Sequence, residues 1–170
     1  MKKILILNGA GKKNGNTAAL IKAFTEGAES SGNEVREFYL QRMNIKGCLD
    51  CQACAKNEPG KAEPCAQRDD MSEIYHEYWD SDVVVFASPV YFWDITGTLK
   101  TAVDRIYAAL RGDSAKAYPK KTALLLTSGG SKIDEVDTWY VNLLRWTGWS
   151  SLGEVLNDND AARKLGESIK

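Results

Sequence analysis

The feature that most constrains the fold of this chain is a regular alternation between short apolar runs and helical patterns. The runs at residues 4–7 and 83–87 are wholly apolar, and each is followed by a segment with apolar side chains at three- and four-residue spacing. A strand that is apolar on both faces has to be covered on both sides. The alternation therefore predicts a parallel sheet with helices packed on each face.

Five strand–helix units follow one another along the 170 residues. The predicted strands lie at residues 4–7, 34–40, 83–87, 124–127 and 150–156, and the predicted helices at about 16–30, 70–80, 95–110, 134–146 and in the terminal stretch NDNDAARKLGESIK. This number of units in this length predicts a flavodoxin-like α/β fold, a three-layer sandwich with a five-stranded parallel sheet and helices on both faces. We expect a single domain over residues 1–170, with a cysteine-containing loop at about 46–68.

Charge and hydropathy limit the partners of the chain. A net charge of -1 at pH 7 gives no electrostatic reason to expect nucleic acid or an anionic membrane surface. After MKK, the apolar run at residues 4–7 is too short for the core of a signal peptide or for a membrane span. We therefore expect a cytoplasmic protein with no membrane partner, whose thiols stay reduced.

The loop after the first predicted strand, NGAGKKNGNT, has the composition of an anion-binding turn. Ligands of open parallel sheets bind at the carboxyl ends of the strands, and a helix that begins there offers free N–H groups and the positive end of its dipole. Lys12 and Lys13 add positive charge, while Asn16 and Thr17 can donate hydrogen bonds at the helix start. This loop is predicted to bind phosphate.

The same loop lacks the features of two common nucleotide-binding motifs. A Walker motif has Lys and then Ser or Thr after its last glycine, whereas Gly15 is followed by Asn16. A dinucleotide fingerprint begins as Gly9 and Gly11 do, but Asn14 stands where its next glycine is expected. The second predicted strand also ends without an acidic residue that could hold a ribose. A triphosphate and a dinucleotide are both disfavoured.

Two further loops are predicted at the same edge of the sheet. SPVYFWDITG places Tyr91, Phe92 and Trp93 directly after a buried strand, where aromatic side chains can flank a planar ring. The stretch TSGG at 127–130 offers hydroxyl groups and glycine N–H groups. A phosphate-binding loop, an aromatic segment and a glycine loop together favour flavin mononucleotide (FMN) over a dinucleotide.

The motifs NGAGKKNGNT, DDM, SPVYF and LKTAVDR resemble, in order and spacing, the NADPH-dependent FMN reductase family, in particular its iron–sulfur flavoprotein-like branch. The resemblance extends from residue 1 to about 130 and is looser in the C-terminal AARKLGESI. It implies a flavodoxin-like fold that binds FMN without a covalent bond. The FMN-binding residues that it implies are Asn8, Ala10, Lys12, Asn14, Gly15, Asn16, Thr17, Pro89, Val90, Tyr91, Phe92, Thr127, Ser128, Gly129 and Gly130.

Three positions of the first loop depart from that family. Ala10 stands where the family usually has serine, Gly11 where it has proline, and Lys12 where arginine is commoner. One hydroxyl contact to the phosphate is therefore missing, which we expect to weaken FMN binding without abolishing the pocket.

The chemistry that the resemblance implies belongs to the flavin, which takes a hydride from NAD(P)H and passes electrons to a small acceptor such as a flavin or a quinone. We identify no catalytic side chain independent of the cofactor. His76 is expected on the exposed face of a helix, and Asp104 and Arg105 are interpreted as structural or subunit-contact residues.

Four cysteines follow the pattern C-x2-C-x2-C-x10-C, at Cys48, Cys51, Cys54 and Cys65. In a reducing compartment this compact spacing suggests a metal centre before a disulfide. The first three cysteines resemble the motif of a [4Fe-4S] cluster, although the fourth comes sooner in iron–sulfur flavoproteins. A zinc site and metal-free thiols packed over the flavin remain open, since spacing alone does not choose the metal.

The leading hypothesis is therefore an FMN-dependent NAD(P)H oxidoreductase acting on a flavin, a quinone or a similar small acceptor. One alternative is an iron–sulfur flavoprotein-like electron carrier, which uses FMN and a [4Fe-4S] cluster and passes electrons to a redox protein partner. Another is a non-redox protein that binds a phosphate metabolite. Apolar surface from Trp139, Trp146 and Trp149 predicts a homodimer or homotetramer, as the family resemblance also implies.

Overall fold

The computed structural model describes residues 1–57, 61–111, 118–130 and 133–170. These residues form the strands β1 (Lys3–Asn8), β2 (Glu34–Tyr39), β3 (Val83–Pro89), β4 (Lys121–Thr127) and β5 (Ser150–Leu156). They also form the helices α1 (Asn16–Ser30), α2 (Met71–Asp80), α3 (Gly97–Ile106), α4 (Asp134–Thr147) and α5 (Asn159–Glu167). Pro59 and Gly60, within the predicted cysteine-containing loop, lie outside the described residues.

The five strands make one parallel sheet with the order β2-β1-β3-β4-β5. The predicted flavodoxin-like arrangement is confirmed. In the centre of the sheet, Asn8 of β1 lies beside Ala87 of β3, and Pro89 of β3 lies beside Thr127 of β4. The three central strands therefore end at the same edge, which brings the loops that follow them together.

Side chains alternate between the two faces of the sheet, as the pleat requires. Leu5 and Leu7 of β1 pack into a core with α2, α3 and α4, whereas Ile4 and Ile6 pack with α1 and α5 on the opposite face. Because the central strands are buried on both faces, helices have to cover both sides of the sheet. The edge strand β2 is different, since it exposes Glu34, Arg36 and Glu37, and such charges discourage pairing with another strand.

Several element boundaries differ from the sequence predictions; for example, β4 begins at Lys121 rather than at residue 124, and β3 ends at Pro89 rather than at residue 87. The helix predicted at 95–110 begins at Gly97, because Thr96 is its cap and accepts a hydrogen bond from the Leu99 N–H at 3.3 Å. After Ile106 the chain continues as a short 3-10 helix, Tyr107–Leu110. The second strand ends at Tyr39, one residue before its predicted end, because Leu40 begins a 3-10 turn.

The tryptophan surface predicted from the sequence is only partly correct. Trp146 is 59% exposed, but Trp149 is 6% exposed and belongs to the core beneath α2 and α4. Trp149 lies 6.1 Å from the ring of Tyr78, centroid to centroid. The sequence pattern did not separate the buried tryptophan from the exposed one, because both lie close to the end of the same amphipathic helix.

Among the described helices, none has both the length and the apolar composition that crossing a bilayer would require.

Candidate functional site

Three loops meet at the carboxyl edge of the sheet. The first loop (residues 9–15) follows β1, the second (residues 90–96) follows β3, and the third (residues 128–130) follows β4. Since β1, β3 and β4 are neighbours, all three loops lie where open parallel sheets bind their ligands. The sequence-predicted FMN-binding residues are therefore brought to one edge.

Asn8 shapes the first loop from beneath. It is 2% exposed, its Oδ1 accepts a hydrogen bond from the Ala10 N–H at 2.9 Å, and its Nδ2 donates to Glu37 Oε1 at 2.7 Å. Ala10 is buried as well, and its N–H already donates a hydrogen bond to the Asn8 side chain. The Tyr39 hydroxyl donates to the Gly11 carbonyl at 3.1 Å, which ties the loop to the end of β2. Asn8 and Ala10 thus fix the shape of the loop.

The start of α1 presents polar groups to solvent. Gly15 is extended, no side chain caps the helix, and the first turn contains no acidic residue. Lys12, Asn14 and Asn16 are exposed around this end. The N–H groups of the first turn, the helix dipole and a lysine together favour an anion here.

Hydrogen bonds join the first loop to the second, and the start of α1 to the end of β4, after which the third loop begins. The buried hydroxyls of Thr17 and Thr127 lie 2.7 Å apart and link α1 to the end of β4. Thr96 Oγ1 donates to the Gly9 carbonyl at 2.8 Å, and the Gly9 N–H donates to the Ala87 carbonyl at 2.8 Å. The edge is therefore preorganised by contacts between residues far apart in sequence.

Gly9 is required by its close approach to α3. A Cβ at this position would lie 2.6 Å from both Leu99 Cβ and Thr96 Oγ1, well inside van der Waals contact. The absence of a side chain allows the first loop to touch the start of α3.

The second loop contains a tight turn at residues 91–94, here named the aromatic turn. Tyr91 and Asp94 exchange backbone hydrogen bonds at 2.9 and 3.2 Å. Phe92 and Trp93 between them have φ of 50° and 61°, the left-handed region that costs about 1–2 kcal/mol per residue other than glycine. The turn presents Phe92 to solvent at 93% exposure. Positive φ at both central residues is what a two-residue turn of type I′ requires.

A cavity of about 430 Å³ lies between the second and third loops. Its lining residues are Val90, Tyr91, Phe92, Trp93, Ser128 and Gly130. The volume falls in the range of small-molecule and cofactor sites. A cavity of about 510 Å³ lies at the opposite edge, around Lys120 and Ile169, where the strands begin and where this class of sheet does not bind its ligands.

Asn157 braces the third loop, and the sequence analysis missed it. Its Oδ1 accepts from the Ser128 N–H at 3.0 Å and its Nδ2 donates to the Ser128 carbonyl at 2.7 Å. Ser128 Oγ in turn accepts from the Gly130 N–H at 3.1 Å. Asn157 has φ of 55°, a left-handed conformation that asparagine adopts more readily than most residues. An asparagine directly after a predicted strand was therefore the feature of the sequence that could have indicated this turn. Thr96, Tyr39 and Glu37 were missed as well, and their partners are also distant in sequence.

Arg105 and Asp69 form a buried ion pair below the cysteine-containing loop. Both side chains are 1% exposed, with Arg105 Nη1 at 2.7 Å from Asp69 Oδ2 and Nη2 at 3.1 Å from Oδ1. Burial alone would raise the pKa of the Asp69 carboxyl, but hydrogen bonds from Arg105 and from the backbone of Lys46 and Met71 hold it below its usual range. Arg105 is thus structural, as predicted, whereas Asp104 is exposed and pairs with Lys100.

The four cysteines share one small cavity of about 40 Å³, here named the cysteine pocket. Cys48 and Cys51 are exposed, while Cys54 and Cys65 are half-buried, and burial raises the pKa of the Cys54 thiol. Four thiols are a suitable donor set for a soft metal. Within the described ranges, however, no three such side chains come close enough to hold one metal ion. His76 is exposed on α2, as expected.

Comparison with known proteins agrees with this geometry. The chain is 38% identical over 107 residues to an iron–sulfur flavoprotein of Archaeoglobus fulgidus, a match that covers 62% of this chain but only 46% of that relative. It is 24% identical over 185 residues to an FMN-dependent NADH:quinone oxidoreductase of Pelagibacter ubique, covering 99% and 94% of the two chains. The chain thus spans about half the length of the iron–sulfur flavoproteins that it matches.

Solved structures agree on the fold. An NAD(P)H:quinone oxidoreductase from Methanothermobacter marburgensis superposes with a TM-score of 0.73 at 17% identity, covering 99% of this chain and 96% of the other. The family model described as NADPH-dependent FMN reductase matches residues 2–162. Because that match takes in all five strands and all three loops, the chain belongs to the NADPH-dependent FMN reductase family.

Proposed function

We propose that this protein is an FMN-dependent NAD(P)H oxidoreductase that passes electrons from a nicotinamide to a small acceptor such as a flavin or a quinone. The observation that carries the proposal is the convergence of three loops at the carboxyl edge of the sheet, where hydrogen bonds join Thr17 to Thr127 and Thr96 to Gly9. Membership of the FMN reductase family and a relative named as an FMN-dependent NADH:quinone oxidoreductase support it.

The FMN phosphate would lie on the first loop, against the start of α1. The uncapped N–H groups of the first turn would donate to it, Lys12 would supply positive charge, and Asn16 would contribute its amide. Thr17 shares its hydroxyl with Thr127, so it would position the helix as well as the phosphate. Gly15 and Asn14 would allow the backbone to close around the anion.

The flavin ring would occupy the 430 Å³ cavity between the second and third loops. The segment from Pro89 to Phe92 would line one side, and Thr127 with the stretch from Ser128 through Gly129 to Gly130 would approach the other. Val90 is fixed at this point, because its N–H donates to the Thr127 carbonyl at 2.8 Å. The bound flavin supplies hydride and electron transfer, while the chain binds it, orients it and limits its contact with water.

Absorbance and turnover test this proposal directly. The purified chain is expected to carry, or to take up, one FMN with a visible flavin spectrum, and to oxidise NADPH or NADH when a quinone is supplied. A preparation that stays colourless when FMN is added would refute FMN binding. Binding of FMN without any nicotinamide oxidation would refute the reductase, and absence of both with binding of a phosphate metabolite would favour the non-redox alternative.

An iron–sulfur flavoprotein-like electron carrier is the second candidate. Its supporting observations are the four cysteines around one pocket and the relatives named iron–sulfur flavoprotein, of which this chain matches about half the length. The described thiols would have to move before they could bind one centre. Iron, sulfide and zinc analysis after anaerobic purification distinguishes a [4Fe-4S] cluster from a zinc site and from metal-free thiols. Only the finding of a cluster would support transfer of electrons to a redox protein partner.

We also propose a single domain that assembles as a homodimer or homotetramer. Phe92 and Trp93 are 93% and 63% exposed beside the site, and Trp146 is 59% exposed at the end of α4, on the other side of the sheet. Subunit contacts would cover such exposed aromatic surface. Sedimentation of the FMN-loaded protein tests this, and a monomer at all concentrations would contradict it. The cytoplasmic location stays a prediction of the sequence.

A further inference from the structure

The first loop has no hydroxyl side chain of its own. Its residues 9–15 read GAGKKNG, and the next threonine along the chain, Thr17, is buried with its hydroxyl 2.7 Å from that of Thr127. A phosphate group presents three strong acceptor oxygens. A hydroxyl donor to a phosphate on this loop, if it is not already shared, therefore has to come from another element.

Hydroxyl groups of neighbouring elements reach the first loop. Thr96 Oγ1 donates to the Gly9 carbonyl at 2.8 Å. The Tyr39 hydroxyl donates to the Gly11 carbonyl at 3.1 Å, so both of these groups are engaged by the backbone of the loop. The Tyr91 hydroxyl lies beside the loop as well, since a Cβ built on Gly11 would be 3.8 Å from it. Tyr91 is exposed, and its hydroxyl has no hydrogen-bond partner among the residues that the structure describes, so it can donate to a ligand.

The Tyr91 hydroxyl lies close to the place where the loop would bind an anion. The first loop folds back on itself, because a Cβ at Gly15 would lie 3.5 Å from Lys12 Cβ and 3.9 Å from the Lys12 carbonyl oxygen. Gly11 and Lys12 are therefore beside the residue that precedes α1. The uncapped N–H groups of α1 and the charge of Lys12 favour an anion at the same point.

Tyr91 also lines the 430 Å³ cavity in which the flavin ring would lie. Its backbone is fixed there by two hydrogen bonds with Asp94, at 2.9 and 3.2 Å. One side chain thus reaches from the ring cavity to the first loop. A tyrosine can contact an aromatic ligand with its ring and donate a hydrogen bond with its hydroxyl. Phenylalanine would keep the first contact and lose the second.

We propose that the Tyr91 hydroxyl donates a hydrogen bond to the phosphate of FMN on the first loop, and that Tyr91 thereby favours FMN over riboflavin, which lacks the phosphate. This inference rests on the FMN-dependent function proposed above. It adds to that function a residue of the aromatic turn that recognises the phosphate. Contacts of the ring cavity, such as those of Val90 and Ser128, would be the same for the two flavins.

Titration of the protein with FMN and with riboflavin, followed by flavin fluorescence, tests the proposal. Tyr91→Phe should weaken FMN binding about tenfold, because a hydrogen bond to a charged group is lost, and should leave riboflavin binding unchanged. Tyr118→Phe is the matched control, since it removes a tyrosine hydroxyl at the opposite edge of the sheet, and it should bind both flavins like the wild type. At saturating FMN, the ³¹P resonance of the bound phosphate should move in Tyr91→Phe and stay in place in Tyr118→Phe.

Two results would overturn the proposal while the wild type still binds FMN. Wild-type affinity for FMN in Tyr91→Phe would mean that the hydroxyl does not contact the phosphate. Weaker binding with an unmoved ³¹P resonance, or equal weakening for FMN and riboflavin, would assign the hydroxyl to the ring or the ribityl chain. In both cases the proposed function stands. A wild type that binds no FMN would refute the proposed function and this inference with it.

Discussion

The proposed FMN-binding edge and the cysteine pocket were both predicted from short motifs, yet they differ in how the fold holds them. At the edge, the loops follow three neighbouring strands, and hydrogen bonds such as those from Thr17 to Thr127 and from Thr96 to Gly9 fix them together. The cysteines instead lie on a long segment between β2 and α2, whose ends are joined by hydrogen bonds of Asp70 and Arg105. The sheet thus fixes the positions of residues that directly follow its strands. It does not fix the positions of residues within a long loop.

The largest loss of stability is expected at the buried ion pair between Asp69 and Arg105. Asp69→Asn breaks a buried pair and leaves Arg105 without its counter-charge, which should lower the free energy of unfolding by about 3–5 kcal/mol. Urea unfolding measures it. Asp104→Asn removes an exposed pair with Lys100 and should cost less than about 1 kcal/mol. Equal losses in the two variants would mean that the buried pair is no more important than a surface ion pair.

A smaller loss of stability is expected at the proposed FMN-binding edge. Gly9→Ala forces a Cβ against Leu99 and Thr96, so it should lower the free energy of unfolding by about 1–3 kcal/mol and weaken FMN binding. Gly11→Ala is the matched control, because its nearest neighbour, the Tyr91 hydroxyl, would be 3.8 Å away. Thermal unfolding and FMN titration read both effects. If Gly9→Ala changed neither the free energy of unfolding nor the FMN affinity, the first loop could move away from α3 at no cost in stability.

Charge reversal beside the proposed phosphate should act on binding alone. Lys12→Glu is expected to weaken FMN binding roughly tenfold or more, since a hydrogen bond to a charged group contributes about 1.5–3 kcal/mol. Lys12 is exposed, so stability should hardly change. Lys164→Glu makes the same change of charge on α5 and should bind FMN like the wild type. Fluorescence titration of FMN compares them, and equal affinities would place the phosphate elsewhere.

The smallest effect concerns pH and the strand behind the third loop. Burial, a hydrogen bond with Asp137 and the charge of that carboxylate raise the pKa of Glu154 on β5 from 4.5 to about 7. The folded state then keeps a proton that the unfolded state releases, so stability should fall as pH rises from about 4.5 to about 7 and level off above. Water reaches this exposed side chain, so the fall should stay below about 1 kcal/mol. Glu154→Gln should remove it in thermal unfolding across pH, and an identical profile would assign the effect to another group.

The sequence predicted best those features that depend on interactions between residues close together in the chain. Strands that are apolar on both faces predicted the parallel sheet. Glycine, lysine and asparagine residues before a helix predicted the polar start of α1. It worked less well for the tryptophans, because whether Trp149 or Trp146 faces the core depends on the path of the chain after α4. The cysteine spacing left a cluster, a zinc site and metal-free thiols open, and in the described residues the four thiols line one pocket.

By itself, the sequence determined the order of the elements, the covered sheet and the three loops at one edge, because periodicity and turn chemistry act between near neighbours. Only the tertiary structure decided the partners of Arg105, the brace that Asn157 provides and the bond between Thr17 and Thr127, which are 36, 29 and 110 residues apart. A side chain can be matched to so distant a partner only once packing has brought the two elements together.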